Sequence, residues 1–151
     1  MRINMGFVFS DESNNSITFE KIWEDEYCFE IMIRVKSKYA SVWQTCYLGD
    51  QNIDELSEFL IDFCNGKGKT DYYESGKKNG NYAPVFSFRL LHDGKGHITV
   101  ETDIEINDVD DRSHRCICNV YTEIGLLEKF GANIRKLKSG EIGTIVSLSS
   151  I

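Results

Sequence analysis

Residues 39–63, YASVWQTCYLGDQNIDELSEFLIDF, change their hydrophobic period at Gly49-Asp50. The part before Gly49 has the aromatic and β-branched composition of a strand. After Asp50 the apolar residues recur every three or four positions, which is the spacing of an amphipathic helix. The apolar stripe consists of Ile53, Leu56, Leu60 and Phe63. The stretch therefore predicts a strand that ends at Gly49 and passes directly into a helix.

The ends of this helix carry recognisable signals. Asn52 is predicted as the N-cap, and Glu55, three residues later, is close to a capping box. Asp54 and Glu55 also suit the positive end of the helix dipole. Gly66 is predicted to end the helix, because glycine readily adopts the left-handed conformation found there.

Strict alternation of apolar and polar residues marks the strands on both sides of this unit. In YCFEIMIRVKS the apolar positions are Phe29, Ile31, Ile33 and Val35, and in HITVETDIEIN they are Ile98, Val100, Ile104 and Ile106. The intervening residues are mostly charged, so the pattern predicts antiparallel strands with one face in water. Weaker strand patterns cover 3–9, 16–23, 39–48, 84–92 and 114–121.

Three local features complete the predicted architecture. Asp93-Gly94 favours a hairpin turn between two strands. A short edge strand is expected around Tyr72, and the β-branched tail EIGTIVSLSS is expected to add a last strand. Helical spacing returns in EIGLLEKFGANIRKLKSG, where Gly140 is predicted to close the helix. Its stripe consists of Ile124, Leu127, Ile134 and Leu137.

The order strand, turn, strand, helix occurs at 27–65 and again at 97–140. This repeat is compatible with a ββα duplication and with an ordinary meander. The predicted fold class is α+β, with an antiparallel β-sheet and two helices, in a single domain covering 1–151. A flexible loop is expected at about 65–83, which is rich in Gly, Asn and Lys. Its interleaved Lys and Tyr residues could stack on single-stranded nucleic acid, but a mobile surface loop is the favoured reading.

Composition limits the classes of partner. The 151 residues include 24 acidic and 17 basic side chains, for a net charge of −7. This charge disfavours nucleic acid and anionic membranes, and it permits steering toward a basic partner. No secretory signal or membrane span is evident, and the 5 Cys residues have no disulfide spacing. A cytoplasmic protein with reduced thiols is expected.

The signals for a metal site or a catalytic site in the sequence are weak. His114, Cys116 and Cys118 alternate on one strand, but zinc sites usually need a second pair elsewhere. Glu101, Asp103 and Glu105 are interpreted as a solvent-facing strand, and the Asp residues at 108–111 as a hairpin turn without the pattern of a calcium loop. A dyad of Cys46 or Cys64 with a distant His is not specific. We therefore predict no catalytic residue, no metal site and no cofactor.

Aromatic and acidic residues are mixed in WEDEY at 23–27 and in YASVWQTCY. Trp and Tyr are favoured anchors of protein interfaces, and acidic neighbours would suit a basic partner. The alternative is that Trp23 and Trp43 belong to the core.

The order of these segments resembles that of the WapI-like immunity proteins, the partners of bacterial polymorphic toxins. The resemblance rests on WEDEYCFEIMIRV, CYLGDQNIDELSEFLIDFCNG, FSFRLLHDGKGHITVETDIEI and LLEKFGANIRKL, and it covers about residues 20–138. It implies a small cytoplasmic protein without catalytic activity that binds and neutralises one cognate toxin domain, such as a nuclease with a basic cleft.

For such a role, the expected contact surface combines one turn with one face of the first helix. Asp54, Glu58 and Asp62 are spaced one turn apart and would form an acidic ridge. The predicted partner-binding residues are Trp23, Glu24, Asp25, Glu26, Asp54, Glu55, Glu58 and Asp62. The alternative function is a small-molecule-binding or accessory domain. The sequence leaves the oligomeric state open.

Overall fold

Strands dominate the fold, as the alternation predicts. The computed structural model describes residues 15–75, 85–107 and 113–149. The predicted strand at 3–9 and the Asp-rich turn at 108–111 lie outside this part of the chain. The elements are β1 Ser16–Glu24, β2 Phe29–Lys36, β3 Ser41–Leu48, α1 Asp50–Cys64, β4 Tyr72–Ser75, β5 Val85–His92, β6 His97–Asn107, β7 Ser113–Glu123, α2 Ile124–Asn133, α3 Lys136–Ser139 and β8 Ile145–Ser149.

The predicted α+β class with antiparallel strands is confirmed. The strands form two four-stranded sheets, with the orders β3-β2-β1-β8 and β4-β5-β6-β7. The expected strand at Tyr72 is β4, and the expected C-terminal strand is β8. The described part of the linker after α1 therefore ends in a sheet strand, while residues 76–83 lie outside the description.

The sheet orders reveal a repeat that is longer than the predicted ββα unit. The first half runs β1-β2-β3-α1-β4, and the second runs β5-β6-β7-α2-α3-β8. The last strand of each half pairs with the first strand of the other half, β8 with β1 and β4 with β5. Each sheet is thus completed by a strand from the opposite half.

Hydrogen bonds identify the equivalent positions of the two halves. Phe19 of β1 lies opposite Val146, and Phe88 of β5 lies opposite Tyr73. Two residues further on, the Lys21 N–H donates to the Thr144 carbonyl (3.0 Å) and the Leu90 N–H donates to the Asp71 carbonyl (2.8 Å). Lys21 and Leu90 therefore occupy equivalent places.

The first helix begins earlier than predicted. Gly49 is the N-cap, so the assignment of Asn52 as N-cap is wrong. Asn52 instead lies in the first turn, and its Oδ1 accepts a hydrogen bond from the Gly49 N–H (2.8 Å). The side chain thus reaches back to the cap, as in a capping box. The predicted end at Gly66 is confirmed, with a φ of 70° just after the Asn65 cap.

The second helical segment is interrupted. The sequence predicts one continuous helix, but α2 ends at Asn133 and the short helix α3 follows after a turn at Ile134 and Arg135. The N–H groups of Leu137 and Lys138 bond to carbonyls only three residues back, at 3.0 and 3.2 Å. This tighter winding keeps Ile134 and Leu137 fully buried, so the predicted apolar stripe survives the break. Gly140 closes the segment as predicted.

One cluster of buried side chains joins both sheets and the helices. Phe19 of the first sheet packs on Phe86 and Phe88 of the second, with ring centroids 5.6 and 6.3 Å apart. Phe130 of α2 packs on Phe19 at 5.8 Å. These rings exclude water from the space between the sheets and helices, which is the main stabilising contribution to a fold of this size.

The two helices touch at equivalent residues. Ser57 and Gly131 are each the eighth residue of their helix, and the Ser57 hydroxyl donates to the Gly131 carbonyl at 2.7 Å. A Cβ at Gly131 would lie 2.9 Å from the Cβ of Leu60. Glycine is needed at this position because the helices approach too closely for a side chain. Within the described residues, no helix combines the length and apolar composition needed to cross a bilayer.

Candidate protein-binding surface

A β-bulge in β1 determines where Trp23 lies. Lys21 pairs with Ile31 of β2, but the next pair is Trp23 with Glu30, so Ile22 is an extra residue. Simple alternation from the buried Phe19 and Lys21 would place Trp23 on the core side. The bulge reverses the alternation and moves Trp23 to the outer face of the first sheet.

Trp23 meets Tyr47 of β3 on that outer face. The two rings are perpendicular, with an interplanar angle of 89° and centroids 6.0 Å apart. The side chains are 42% and 64% exposed, respectively. Glu30 lies directly opposite both residues in the sheet register, and therefore between them. Trp23 therefore lies on the surface, and the alternative that it belongs to the core is wrong.

Trp43 also lies outside the core, but it is partly covered. It is half-buried on the same outer face, opposite Arg34 of β2. The Arg34 guanidinium lies 5.9 Å from the centroid of the Trp43 ring, within the range of a cation–π interaction.

The tip of the β1–β2 turn presents one more aromatic side chain. Asp25 Oδ1 accepts hydrogen bonds from the N–H groups of Tyr27 (2.8 Å) and Cys28 (2.9 Å). These bonds, that from Cys28 first, hold the pKa of Asp25 below its usual value. The Asp25 carboxylate is therefore committed to the turn, whereas Tyr27 is 86% exposed and Glu26 points into solvent.

Glu24 forms an ion pair with a buried lysine. Its carboxylate lies 2.6 Å from the Nζ of Lys21, a lysine that is only 1% exposed. The same ammonium group donates to the Gly140 carbonyl at 2.9 Å and lies 4.9 Å from the centroid of the Phe29 ring. A charged group can be buried in this way because its hydrogen-bonding capacity is largely used.

The predicted acidic ridge of α1 has two different ends. Asp54 is paired within the chain, with its Oδ1 2.7 Å from Lys138 Nζ and 3.7 Å from Arg135 Nε. Glu55 accepts a hydrogen bond from Gln51 at 3.1 Å. Glu58 and Asp62 are exposed. Among the described residues, neither of these two carboxylates has an ion-pair partner, so the open charge lies on the later turns of the helix.

The two predicted groups of acids meet the same short segment. Lys138 of α3 binds Asp54, and Gly140 just after α3 binds Lys21, which in turn holds Glu24. Lys138 and Arg135 thus neutralise Asp54, whereas Lys21 of β1 neutralises Glu24 and is itself held by the Gly140 carbonyl. The structure leaves Trp23, Glu26, Glu58 and Asp62 as the predicted contact residues with open side chains.

Four relevant residues were not among the predicted contact residues: Tyr27, Glu30, Tyr47 and Lys21. Alternation places Glu30 on the wet face of its strand, as the sequence predicts, and the same argument applies to Tyr47. Lys21 interrupts the apolar phase of ITFEKIW, and a lysine in such a phase is a signal for a buried cation.

The outer face of the second sheet offers a comparison. Its row equivalent to Trp23, Glu30 and Tyr47 consists of Leu91, Thr99 and Tyr121. Tyr47 and Tyr121 each precede a helix by three residues. Because β5 has no bulge, Leu91 takes the outward place that Trp23 occupies in β1.

Charge is also distributed differently on the second sheet. Asp103 was interpreted as part of a solvent-facing row, but it is buried beneath Arg115, whose Nη2 lies 2.6 Å from its Oδ2. The Asp103 carboxylate, first through its hydrogen bonds, raises the pKa of Arg115. This pair belongs to the sheet surface itself and leaves its carboxylate inaccessible.

Burial keeps the thiols of Cys46 and Cys64 protonated at neutral pH. Burial, followed by the Glu30 charge, raises the pKa of Cys46 to about 12, and burial, followed by the Glu128 charge, raises that of Cys64 to about 11. Cys116 and Cys118 lie with their Sγ atoms 3.5 Å apart, while His114 is exposed. In the part of the chain that the structure describes, no three His, Cys, Asp or Glu side chains converge as metal ligands would.

Comparisons with known proteins found no similar protein. No protein-family model matches it, and searches of curated protein sequences and of solved structures found no match.

Proposed function

We propose that this chain is an immunity-type binding protein that neutralises a basic bacterial toxin domain by occupying its surface. The toxin class follows from the resemblance to WapI-like immunity proteins. The binding surface, here called the turn surface, consists of Trp23, Glu26, Tyr27, Glu30 and Tyr47. The exposed end of the α1 ridge, Glu58 and Asp62, supplies further negative charge.

The observation that carries this proposal is the bulge that exposes Trp23 beside Tyr47. Two large rings in water forgo the free energy that burial would contribute, about 25 cal/mol per Å² of apolar area. Trp and Tyr are the residues that most often dominate protein interfaces when a partner buries them. A β-bulge that turns Trp23 outward next to a second aromatic ring is therefore well suited to binding a protein.

Charge supports a basic partner. Glu30 lies between Trp23 and Tyr47, Glu26 is exposed in the adjoining turn, and the chain carries a net charge of −7. Rim charges of this kind mainly raise the rate of association, and they lose effect as salt screens them. A toxin nuclease with a basic cleft has the complementary charge, and a bound acidic protein would block access of nucleic acid to that cleft.

The test is capture of the partner with matched variants. The immobilised wild-type protein, W23A, Y47A and Y121A are each incubated with lysate of the native cell at low and at high salt. Tyr121 is the matched control, because it is an exposed tyrosine at the equivalent position of the second half and is 53% exposed. Bound proteins are identified by mass spectrometry, and each captured protein is then purified and assayed for toxic activity.

The proposal expects a basic protein that binds wild type and Y121A, dissociates at high salt and loses its activity when the chain is added. W23A and Y47A should each weaken binding at least tenfold, since a central aromatic anchor contributes about 2 kcal/mol or more. Capture that is equal for all four proteins would move the interface away from the turn surface. A captured protein whose activity is unchanged by the chain would overturn the neutralising role.

A further inference from the structure

The pair of rings at Trp23 and Tyr47 differs from three other aromatic side chains of the surface. Three partly or fully exposed rings already carry a cation of the chain itself. Arg34 lies over Trp43 at 5.9 Å, Lys38 over Tyr39 at 5.6 Å and Arg89 over Tyr72 at 5.0 Å; these are centroid distances. Within the described residues, no Lys or Arg lies over Trp23 or Tyr47.

The carboxylate beside the rings is placed to complement a cation. Glu30 faces Trp23 on one side and Tyr47 on the other, and directly opposed residues in a sheet have Cβ atoms about 5 Å apart. The Lys21 ammonium does not compensate this charge from outside, because it is buried on the other face and bound to Glu24 and Gly140. The rings and the partly exposed carboxylate thus share one row on the outer face of the first sheet.

Perpendicular rings offer two different surfaces to one ligand. A cation attracted to the face of the Trp23 indole would lie near the edge or hydroxyl of Tyr47. A guanidinium group is planar, can stack on an aromatic face and can donate paired hydrogen bonds to a carboxylate. An ammonium group satisfies the same charge requirement with less directional contact.

We propose that Trp23, Glu30 and Tyr47 form a binding site for one basic side chain of the partner protein, with arginine preferred over lysine. This inference rests on the proposed function for the identity of the ligand as part of a protein. It specifies that the turn surface recognises a positively charged side chain and that Glu30 distinguishes charged from uncharged ligands.

The second half of the chain shows what the site would be without these features. The equivalent row has Leu91 in place of the tryptophan and Thr99 in place of the carboxylate, although Tyr121 keeps the tyrosine. That row presents apolar area without a charge complement. It supplies a control surface inside the same molecule.

The experiment uses small probes and does not require the partner. The isotope-labelled full chain is titrated with N-acetyl-arginine amide, N-acetyl-lysine amide and N-acetyl-citrulline amide, and the indole N–H signal of Trp23 is followed by NMR. Citrulline has nearly the shape of arginine but no charge. W43F assigns the indole signal, and E30Q, Y47A and Y121A test the contributing residues.

We expect a saturable shift of the Trp23 signal with the arginine probe, a weaker one with lysine and none with citrulline. E30Q and Y47A should each raise the apparent Kd roughly threefold or more, as expected for loss of one partly exposed charge or one ring contact, and Y121A should leave it unchanged. Equal shifts with arginine and citrulline, or no saturable shift with either cation, would overturn the cation site. The capture experiment tests the proposed function separately, so failure of the cation site in this titration would not by itself overturn that function.

Discussion

The Nζ of Lys21 lies 2.6 Å from the carboxylate of Glu24, in a place where the other half of the molecule has Leu90. The bulge at Ile22 makes this contact possible, since it turns Glu24 toward the face on which Lys21 lies while it turns Trp23 away. One extra residue thus joins a buried cation to the base of the proposed binding surface.

This arrangement predicts an asymmetry between two substitutions. E24A should lower the free energy of unfolding by roughly 1–3 kcal/mol, because it leaves a buried ammonium with the Gly140 carbonyl as its remaining acceptor. This loss of unfolding free energy is smaller than for a fully buried ion pair because Glu24 is itself half exposed. K21M should lower the free energy of unfolding by less than E24A does. The apolar methionine side chain can occupy the space of Lys21, just as Leu90 occupies the equivalent space in the other half, and Glu24 can turn into water.

Urea unfolding of E24A, K21M and K21M/E24A measures this asymmetry. The double variant should be more stable than E24A, because the unpaired charge has been removed. A double variant that is less stable than either single variant would contradict the role assigned to the ammonium group. Acrylamide quenching of Trp23 in a W43F background should increase in K21M, since Glu24 no longer anchors the turn.

The packing around Gly131 predicts that alanine destabilises the protein at this position, whereas helix propensity predicts that alanine stabilises it. Alanine favours a helix over glycine by about 1 kcal/mol in an open position. At Gly131, however, the new Cβ would lie 2.9 Å from Leu60 Cβ and 3.2 Å from Ile61 Cγ1. We expect G131A to destabilise the protein by about 1–3 kcal/mol, because the helices must separate.

Gly125 is the matched control for that substitution. It lies in the same helix, and an added Cβ would meet no atom within 4 Å. G125A should therefore leave the thermal midpoint unchanged or raise it. Equal effects of G125A and G131A would show that the helices do not approach as closely as described.

The acidic ridge of α1 is expected to divide into a structural part and an open part. D54K places a third positive charge beside Lys138 and Arg135 and should lower the free energy of unfolding by about 1 kcal/mol. E58K/D62K should change it by less than about 0.5 kcal/mol, since these side chains are exposed.

Binding to the captured partner distinguishes the two parts in a second way. If α1 contributes to the interface, E58K/D62K weakens binding while the fold stays intact, and the loss is larger at low salt. An unchanged affinity in E58K/D62K would restrict the interface to the turn surface. D54K is compared only after its stability has been measured, because it changes a contact within the chain.

Asp93 provides a pH-dependent test of the β5–β6 turn. Its carboxylate accepts hydrogen bonds from the Lys95 N–H (2.6 Å) and the His97 N–H (3.1 Å), and it lies 2.7 Å from the His97 Nδ1. These contacts, the Lys95 bond first, lower the pKa of Asp93 from its usual value near 3.8 to about 2. The bonds favour the charged form, so their contribution to stability is complete above pH 4 and is lost as the pH falls toward 2.

Carboxyl NMR shifts recorded from pH 6 to pH 1.5 check this prediction. The Asp93 signal should titrate near pH 2, and the Lys95 and His97 amide signals should move with it. D93N should remove this titration from both amides. A midpoint near 3.8 would show that the carboxylate does not hold the turn in solution.

Several elements could be predicted from the sequence because their signals are local. Alternation identifies the strands of both sheets, and helical spacing identifies α1 and the apolar stripe that continues from Leu127 to Leu137. Asp93-Gly94 and Gly66 mark chain reversals through backbone conformations that glycine adopts readily. The cap of α1 was misplaced by three residues because Asn52 can satisfy a backbone N–H from inside the first turn as well as from the cap.

The candidate site was predictable only in part. The mixture of aromatic and acidic residues at 23–27 marks the turn that carries part of the proposed surface, but period-two counting along β1 assigns Trp23 to the core. Asp54 was assigned to open surface because its partners Lys138 and Arg135 are distant in the sequence and meet it only through the packing of α1 against α3. Residue spacing carries no information about such a pair.

The sequence by itself determined the α+β class, the antiparallel strands, the amphipathic helices and the negative charge, because each depends on neighbours within a few residues. Tertiary structure decided that β4 and β8 exchange between the halves, that Gly131 lies at a helix crossing and that a bulge turns Trp23 toward Tyr47. These depend on which strands pair and in which register, and that choice is made by the packing of the whole core around Phe19 and Phe88. The surface proposed to bind a partner is therefore a consequence of register, which no single segment encodes.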